Sequence, residues 1–306
     1  MGYAVGGVNE SRPLIVGEVL FDCFPDGNVV LGGAPFNVAW HLQGFGLNPL
    51  MVSAVGKDEN GERVLTAMRD WGMDLGGIQV LDSYPTGQVT VSLNDGQPSY
   101  EICADQAYDN IQYDDLQAEL DNTRVSLLYH GSLIERTDHS RNLLAQIRES
   151  SNVPVFIDVN LRPPWWSDAA VKSSLSNAKW VKLNEDELLT ILKVSNDSTT
   201  GLFEYARDFL DEYSLDLVIV TQGEHGAFCV STNDMISGAP VEASVIDTVG
   251  AGDSFSAVTI LGLTQGWPLS LVLERALEFA AVICEQQGAT STDRALYEKY
   301  LSQWQG

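Results

Sequence analysis

Short apolar runs alternate with amphipathic stretches along the chain. Runs rich in Val, Ile and Leu predict strands over residues 14–17, 51–55, 125–130, 155–158, 180–183 and 217–221. Helical spacing predicts helices over 35–43, 61–71, 139–149, 185–192, 201–213, 253–265 and 269–285. Such alternation implies an α/β fold, a mostly parallel central sheet flanked by helices in three layers. Two stretches break the rhythm. Residues 21–31 and 78–103 have no helical period and contain the turn pairs Asp26-Gly27 and Asp95-Gly96, so they read as antiparallel hairpins. They are expected to form a small β-sheet lid beside the main sheet. No internal repeat is visible, and 306 residues suit a single domain over 1–306.

Composition narrows the function classes. The chain is 44% apolar, but no apolar run approaches the roughly 20 residues that cross a bilayer. A net charge of −25 argues against nucleic acid and anionic membranes as partners. Residues 1–12 lack the basic and apolar regions of a signal peptide, and Met1-Gly2 is followed by Gly6 where an acylation site needs Ser or Thr. Cys23, Cys103, Cys229 and Cys284 are far apart and read as buried free thiols of a cytoplasmic protein. His41, His130, His139 and His225 show no metal-ligand spacing and read as structural.

The chemistry concentrates in Asp247-Thr248-Val249-Gly250-Ala251-Gly252-Asp253-Ser254-Phe255. A strand over 241–246 is expected to feed the Gly250-Ala251-Gly252 turn, whose free N–H groups open a helix. Unpaired amides and the positive end of a helix dipole then face one point, which suits an anion. Asp253 would repel a phosphate there, unless it acts on a neutral hydroxyl brought up to that phosphate. The segment therefore reads as a phosphoryl-transfer site.

Four other segments have both a plain and a functional reading. Gly32-Gly33-Ala34-Pro35-Phe36-Asn37 leads into a helix, with Pro35 suited to its first turn. It is either a tight turn with close packing or a place where a ligand meets the backbone while Asn37 hydrogen-bonds it. Asp22 can cap a turn or clamp two sugar hydroxyls. Asn184-Glu185-Asp186-Glu187 can be ordinary helix capping or the neighbourhood of a hydrated Mg²⁺. Thr221-Gln222-Gly223 can be a hairpin turn or a nucleotide-edge loop. No Walker A loop and no Gly-x-Gly-x-x-Gly fingerprint is present.

In this order and spacing these segments resemble the ribokinase, or phosphofructokinase B, family of carbohydrate kinases, from about residue 14 to 289. The resemblance implies a ribokinase-like fold with a β lid closing over a sugar, ATP as phosphoryl donor, Mg²⁺, and in many members a monovalent cation such as K⁺. By position, Asp253 resembles the catalytic base, and Gly250, Ala251 and Gly252 the anion hole. Asp22, Gly33 and Asn37 resemble sugar-binding residues. Asn184 and Glu187 match the Asn-x-x-Glu motif near Mg²⁺ and phosphate, Thr221 and Gly223 match the nucleotide loop, and Asp247 matches a contributor to the cation site. The stretch 276–289 is about one turn shorter than the family's usual final helix, which leaves the adenine-flanking residues open.

Charge and local motif bear on the substrate. Between Pro13 and Thr123 the only basic residues are Lys57, Arg63 and Arg69, which favours a neutral sugar over a sugar phosphate. Asp158-Val159-Asn160-Leu161-Arg162, with Trp165 and Trp166, resembles the fructokinase and 2-keto-3-deoxygluconate kinase branches. Fructose is the first choice. Arg162, which can pair a carboxylate, makes an acid sugar the second. A nucleoside stacked on lid aromatics (Tyr84, Tyr100, Tyr108) comes third, and a non-catalytic sensor of the same fold is the reading from another class. A homodimer joined through lid strands would cover edges that otherwise invite aggregation.

Overall fold

Strands buried on both faces read as unbroken apolar runs, and the first strand shows why. Leu14, Ile15 and Val16 are wholly buried, yet Ile15 points into one apolar core while Leu14 and Val16 point into the other. The computed structural model of the chain describes residues 11–94, 97–194 and 201–304.

In chain order the first half holds β1 (Arg12–Val16), β2 (Leu20–Cys23), β3 (Val29–Gly32), α1 (Ala34–Gly44), β4 (Leu50–Gly56), α2 (Glu59–Trp71), β5 (Ile78–Leu81), β6 (Gly87–Asn94), β7 (Gln97–Ile102), α3 (Gln117–Asp121), β8 (Val125–Gly131) and α4 (Asp138–Ser151). The second half holds β9 (Val155–Asp158), α5 (Asp168–Leu175), β10 (Trp180–Asn184), α6 (Glu185–Leu192), α7 (Leu202–Tyr213), β11 (Leu217–Thr221), β12 (Ala227–Ser231), β13 (Met235–Gly238), α8 (Ala251–Gln265), α9 (Leu269–Cys284) and α10 (Arg294–Trp304).

A nine-stranded sheet runs in the order β13-β12-β11-β10-β9-β8-β1-β4-β5. It is parallel from β11 to β5, and the antiparallel pair β12 and β13 finishes one edge. One core layer joins Phe36 and Trp40 of α1, Phe255 of α8, Phe279 of α9 and Tyr297 of α10. The other joins Leu144 of α4, Leu188 of α6 and Phe209 of α7. The three-layer expectation is met.

A second sheet has the order β3-β2-β6-β7, with β2 and β6 parallel and each hairpin antiparallel. The hairpin expected over 78–103 divides. Ile78–Leu81 pairs parallel with β4 and belongs to the large sheet, because its register with Ser53–Gly56 continues that sheet by one strand. Only β6 and β7 enter the small sheet. The Asp95-Gly96 turn lies outside the described residues, as do Met1, Gly2 and Gly6.

The strand expected over 241–246 is absent. Val245 and Ile246 are 61% and 68% exposed, and the amides of Ile246 and Asp247 bond the Cys284 carbonyl at the end of α9 rather than a ladder. β-Branched composition suggested a strand, but the segment pairs with no strand among the described residues. All four cysteines are free, as expected, although only Cys229 is buried. Among the described residues no helix is long and apolar enough to cross a membrane.

The end of the described chain closes the core behind α1. Trp40 donates its indole N–H to the Ser291 carbonyl at 2.8 Å and stacks on Trp71, centroids 5.1 Å apart. His41 meets the Tyr297 hydroxyl and the Ala289 carbonyl, each at 3.0 Å. Burial pushes its pKa down to about 4, so it stays neutral. The histidines thus read as structural where they are buried.

Candidate active site

Parallel strands end in register, so the residues at their carboxyl ends converge on one edge of the sheet, where open α/β folds bind ligands. Asn184 at the end of β10 pairs in register with Thr221 at the end of β11. Asp158 ends β9 opposite Lys182 on one side and Gly131 of β8 on the other. Gly17 and Glu18 follow β1 at the same edge.

The Gly250-Ala251-Gly252 turn faces this edge and opens α8. Gly250 sits at the N-cap with φ +80°, and a Cβ there would fall 2.5 Å from Ala289. Only glycine meets both constraints without strain. The helix has no side-chain cap. Ser254 N–H closes the first helical bond to the Gly250 carbonyl, and Ala251 N–H turns back to Thr248 at 3.3 Å. The amides of Gly250, Gly252 and Asp253 have no acceptor among the described residues. The three amides left free at the start of α8 are thus those of Gly250, Gly252 and Asp253, whereas Ala251 uses its own on Thr248.

Asp253 stands at the third helical position and accepts a 2.8 Å hydrogen bond from Asn37 Nδ2 on α1. Burial raises its pKa to about 6. The Asn37 bond lowers it, Asp158 raises it, and Lys182 and Arg162 lower it. Asn37 is only 4% exposed and its Oδ1 has no partner. Gly33 adopts φ +110°, and a Cβ on it would meet the Glu18 carbonyl at 2.6 Å, so this glycine serves close packing at least. Asp22, half-buried on β2, has its pKa raised by burial and lowered by Arg162. Arg162 itself is exposed and touches none of these side chains. Its charge nevertheless reaches Glu18, Asp22 and Asp253.

On the other side of the turn, Asn184 and Glu187 form a capping box. Asn184 Oδ1 accepts the Glu187 amide at 2.8 Å, and Glu187 Oε2 accepts the Asn184 amide at 2.9 Å. Glu187 Oε1 takes the Leu161 amide at 2.7 Å, and burial raises the carboxyl's pKa. The carboxylate of Asp247 bridges two loops, accepting from Val249 and Gly288 at 3.0 Å each. Gly223 opens a short 3₁₀ turn after β11 with φ +55°. Among the described residues no three His, Cys, Asp or Glu side chains form a metal cage.

Four residues at the site had no role in the sequence reading. Lys182 binds both oxygens of Asp158, at 3.0 and 2.8 Å, and Ser256 of α8 donates to the same carboxylate at 2.7 Å. Glu18 is 4% exposed with Oε2 unpartnered, and burial raises its pKa to about 7. Arg136 lies outside the segment searched for basic residues, yet it holds Asp109 with two nitrogens and the Cys103 carbonyl with one of them. Only the position of Lys182, two residues before Asn184, was a signal. Tyr108, by contrast, is wholly buried under Arg136 and is not free to stack a base.

The pfkB family carbohydrate kinase model matches residues 24–295. The fructokinase of Salmonella typhimurium is 27% identical over 293 residues, covering 91% of this chain and 92% of that protein. The structure of the Xylella fastidiosa fructokinase with bound ATP superposes with a TM-score of 0.82 at 19% identity, covering 96% of this chain and 99% of that one. The 2-dehydro-3-deoxygluconokinase of Thermotoga maritima superposes with a TM-score of 0.81 at 18% identity, covering 96% and 100%.

Proposed function

Because the chain belongs to the pfkB family of carbohydrate kinases, we propose that it transfers the γ-phosphate of ATP to a primary hydroxyl of a neutral sugar, fructose first. The observation that carries this reading is the 2.8 Å bond between Asn37 and Asp253. It joins the helix after the paired glycines to the one carboxylate at the open end of α8. Asp253 accepts the proton of the attacking hydroxyl, while the free amides of the glycine turn stabilise charge on the phosphoryl group as it transfers. Asp22, Gly33, Asn37 and Arg162 orient the sugar under the small sheet acting as a lid. Asn184, Thr221 and Gly223 flank the nucleotide.

Mg²⁺ fits this edge as an ion held chiefly by phosphate oxygens and water, since Glu187 and Asp247 already accept amides with both oxygens. When bound it neutralises charge on the β- and γ-phosphates. Glu187 supplies its remaining lone pairs there, and Asp247 fixes the loops beside a K⁺ site.

A neutral acceptor is favoured by charge. The exposed Arg162 already acts by its charge on Glu18, Asp22 and Asp253, so little positive charge is left over for a second anion. Arg136 is buried and paired with Asp109, which leaves it only Nη1 to offer. The second reading, a 2-keto-3-deoxygluconate kinase, rests on Arg162 having no side-chain partner among the described residues. ATP consumption measured with fructose, other neutral sugars, 2-keto-3-deoxygluconate, fructose 6-phosphate and adenosine decides between them. Turnover with fructose is expected. Turnover with the acid sugar alone installs the second reading, and turnover with the phosphosugar alone ends the charge argument.

A further inference from the structure

A cation is built into the protein beneath the glycine turn. Lys182 projects from β10 and is 6% exposed, so it does not line the open cleft. Its ammonium group lies 3.3 Å from the position a Cβ on Gly252 would take, closer than side chains normally approach one another. It is paired with Asp158, and Ser256, three residues beyond Asp253, donates to the same carboxylate. The hydroxyl of Tyr129 reaches it at 3.4 Å. Sheet and helix are therefore tied together by one charged knot directly behind the free amides.

Burying this pair is expensive, and an apolar pair of similar size would hold the same elements together as well or better. Stability alone does not account for it. On the kinase reading above, we propose that Lys182 is a positioning residue for phosphoryl transfer. It sets the first turn of α8 against the strand ends and adds a permanent positive charge behind the amides that face the transferring group. Asp158 orients the ammonium and keeps it charged. Its charge also acts on Asp253, which Asn37 contacts and which Asp158, Arg162 and Glu18 face from the surrounding elements.

The test compares Lys182→Met, Lys182→Arg and the double variant Asp158→Asn/Lys182→Met, with the wild type on its best sugar as reference. Lys182→Met is expected to lower kcat about tenfold or more, short of the ~10²–10³ lost with a donor that touches the oxyanion, with both KM values within about threefold of wild type. Lys182→Arg should recover part of the loss. The single variant leaves Asp158 unpaired and can fail to fold, so the double variant is decisive, since it has no buried charge left to compensate. If the cation acts in transfer, the double variant melts near the wild-type temperature but keeps the low kcat. The acid limb of kcat should move to higher pH in Lys182→Met and return in the double variant. A double variant with wild-type kcat makes the pair purely structural and overturns the inference. A wild type idle on every sugar overturns the kinase reading and this inference with it.

Discussion

Two helices begin at the same edge of the sheet, and both carry an acid at the third helical position. In α6 that acid is Glu187, long enough to fold back onto the Asn184 amide while Asn184 caps the Glu187 amide. In α8 it is Asp253, and the N-cap is Gly250, which has no side chain with which to answer. α6 therefore spends its first turn on itself, and α8 leaves its first turn open. The shorter acid is drawn aside by Asn37, from a helix 216 residues earlier in sequence. On the proposed reading a helix start becomes a reaction site by omission, where the local cap is withheld and a distant residue takes over the carboxylate.

The largest break in this contrast is removal of the acid from the open helix. Asp253→Asn should cut kcat by about 10²–10⁴ and leave ATP affinity, measured calorimetrically, near wild type. Normal turnover in that variant would end the assignment of Asp253 as base. Titration sharpens the same point. A base must be ionised, and the pKa of Asp253 is raised to about 6. So kcat/KM for the sugar should be flat above that value and fall about tenfold per unit below it. Further desolvation of the carboxylate by a bound sugar would move the limb upward, and a sugar hydroxyl donating to it would move the limb downward.

The remaining two variants probe the helix starts themselves. Gly250→Ala forces a Cβ into the left-handed region and against Ala289, and should cost about 1–3 kcal/mol of stability as well as turnover. Thermal melting checks the first and the ATP assay the second. Asn184→Ala opens the closed box of α6 and should cost about 1 kcal/mol, a fall of about 2–4 °C in Tm. An unchanged KM for MgATP in that variant would leave Asn184 a cap and nothing more.

The contrast also separates what could be read in the chain from what could not. Period and composition located the buried strands, because a strand covered on both faces has to be apolar throughout. They failed at 241–246, where valine and isoleucine mark a segment whose last amide turns to the Cys284 carbonyl instead of a ladder. The glycine turn was legible because its chemistry is local, a few residues that can do little else. The pairs Lys182–Asp158 and Asn37–Asp253 were not legible as contacts, since each joins separate elements of the fold. Asn184 and Glu187 show the reverse hazard. Their spacing suggests a ligand site, yet its immediate use is a cap.

One feature of the core bears on how the site comes into being. α10 packs against α1 and α2, with Tyr297 under His41 and Arg294 over Trp71, contacts that span more than 200 residues of chain. Contacts of that range are slow to find, because a long loop must close before any of them contributes. The helix that carries Asn37 is thus fixed from behind by residues met late in folding. A chain that has formed its sheet but has not docked α10 would hold both Asn37 and Asp253 without the helix support that aligns the pair.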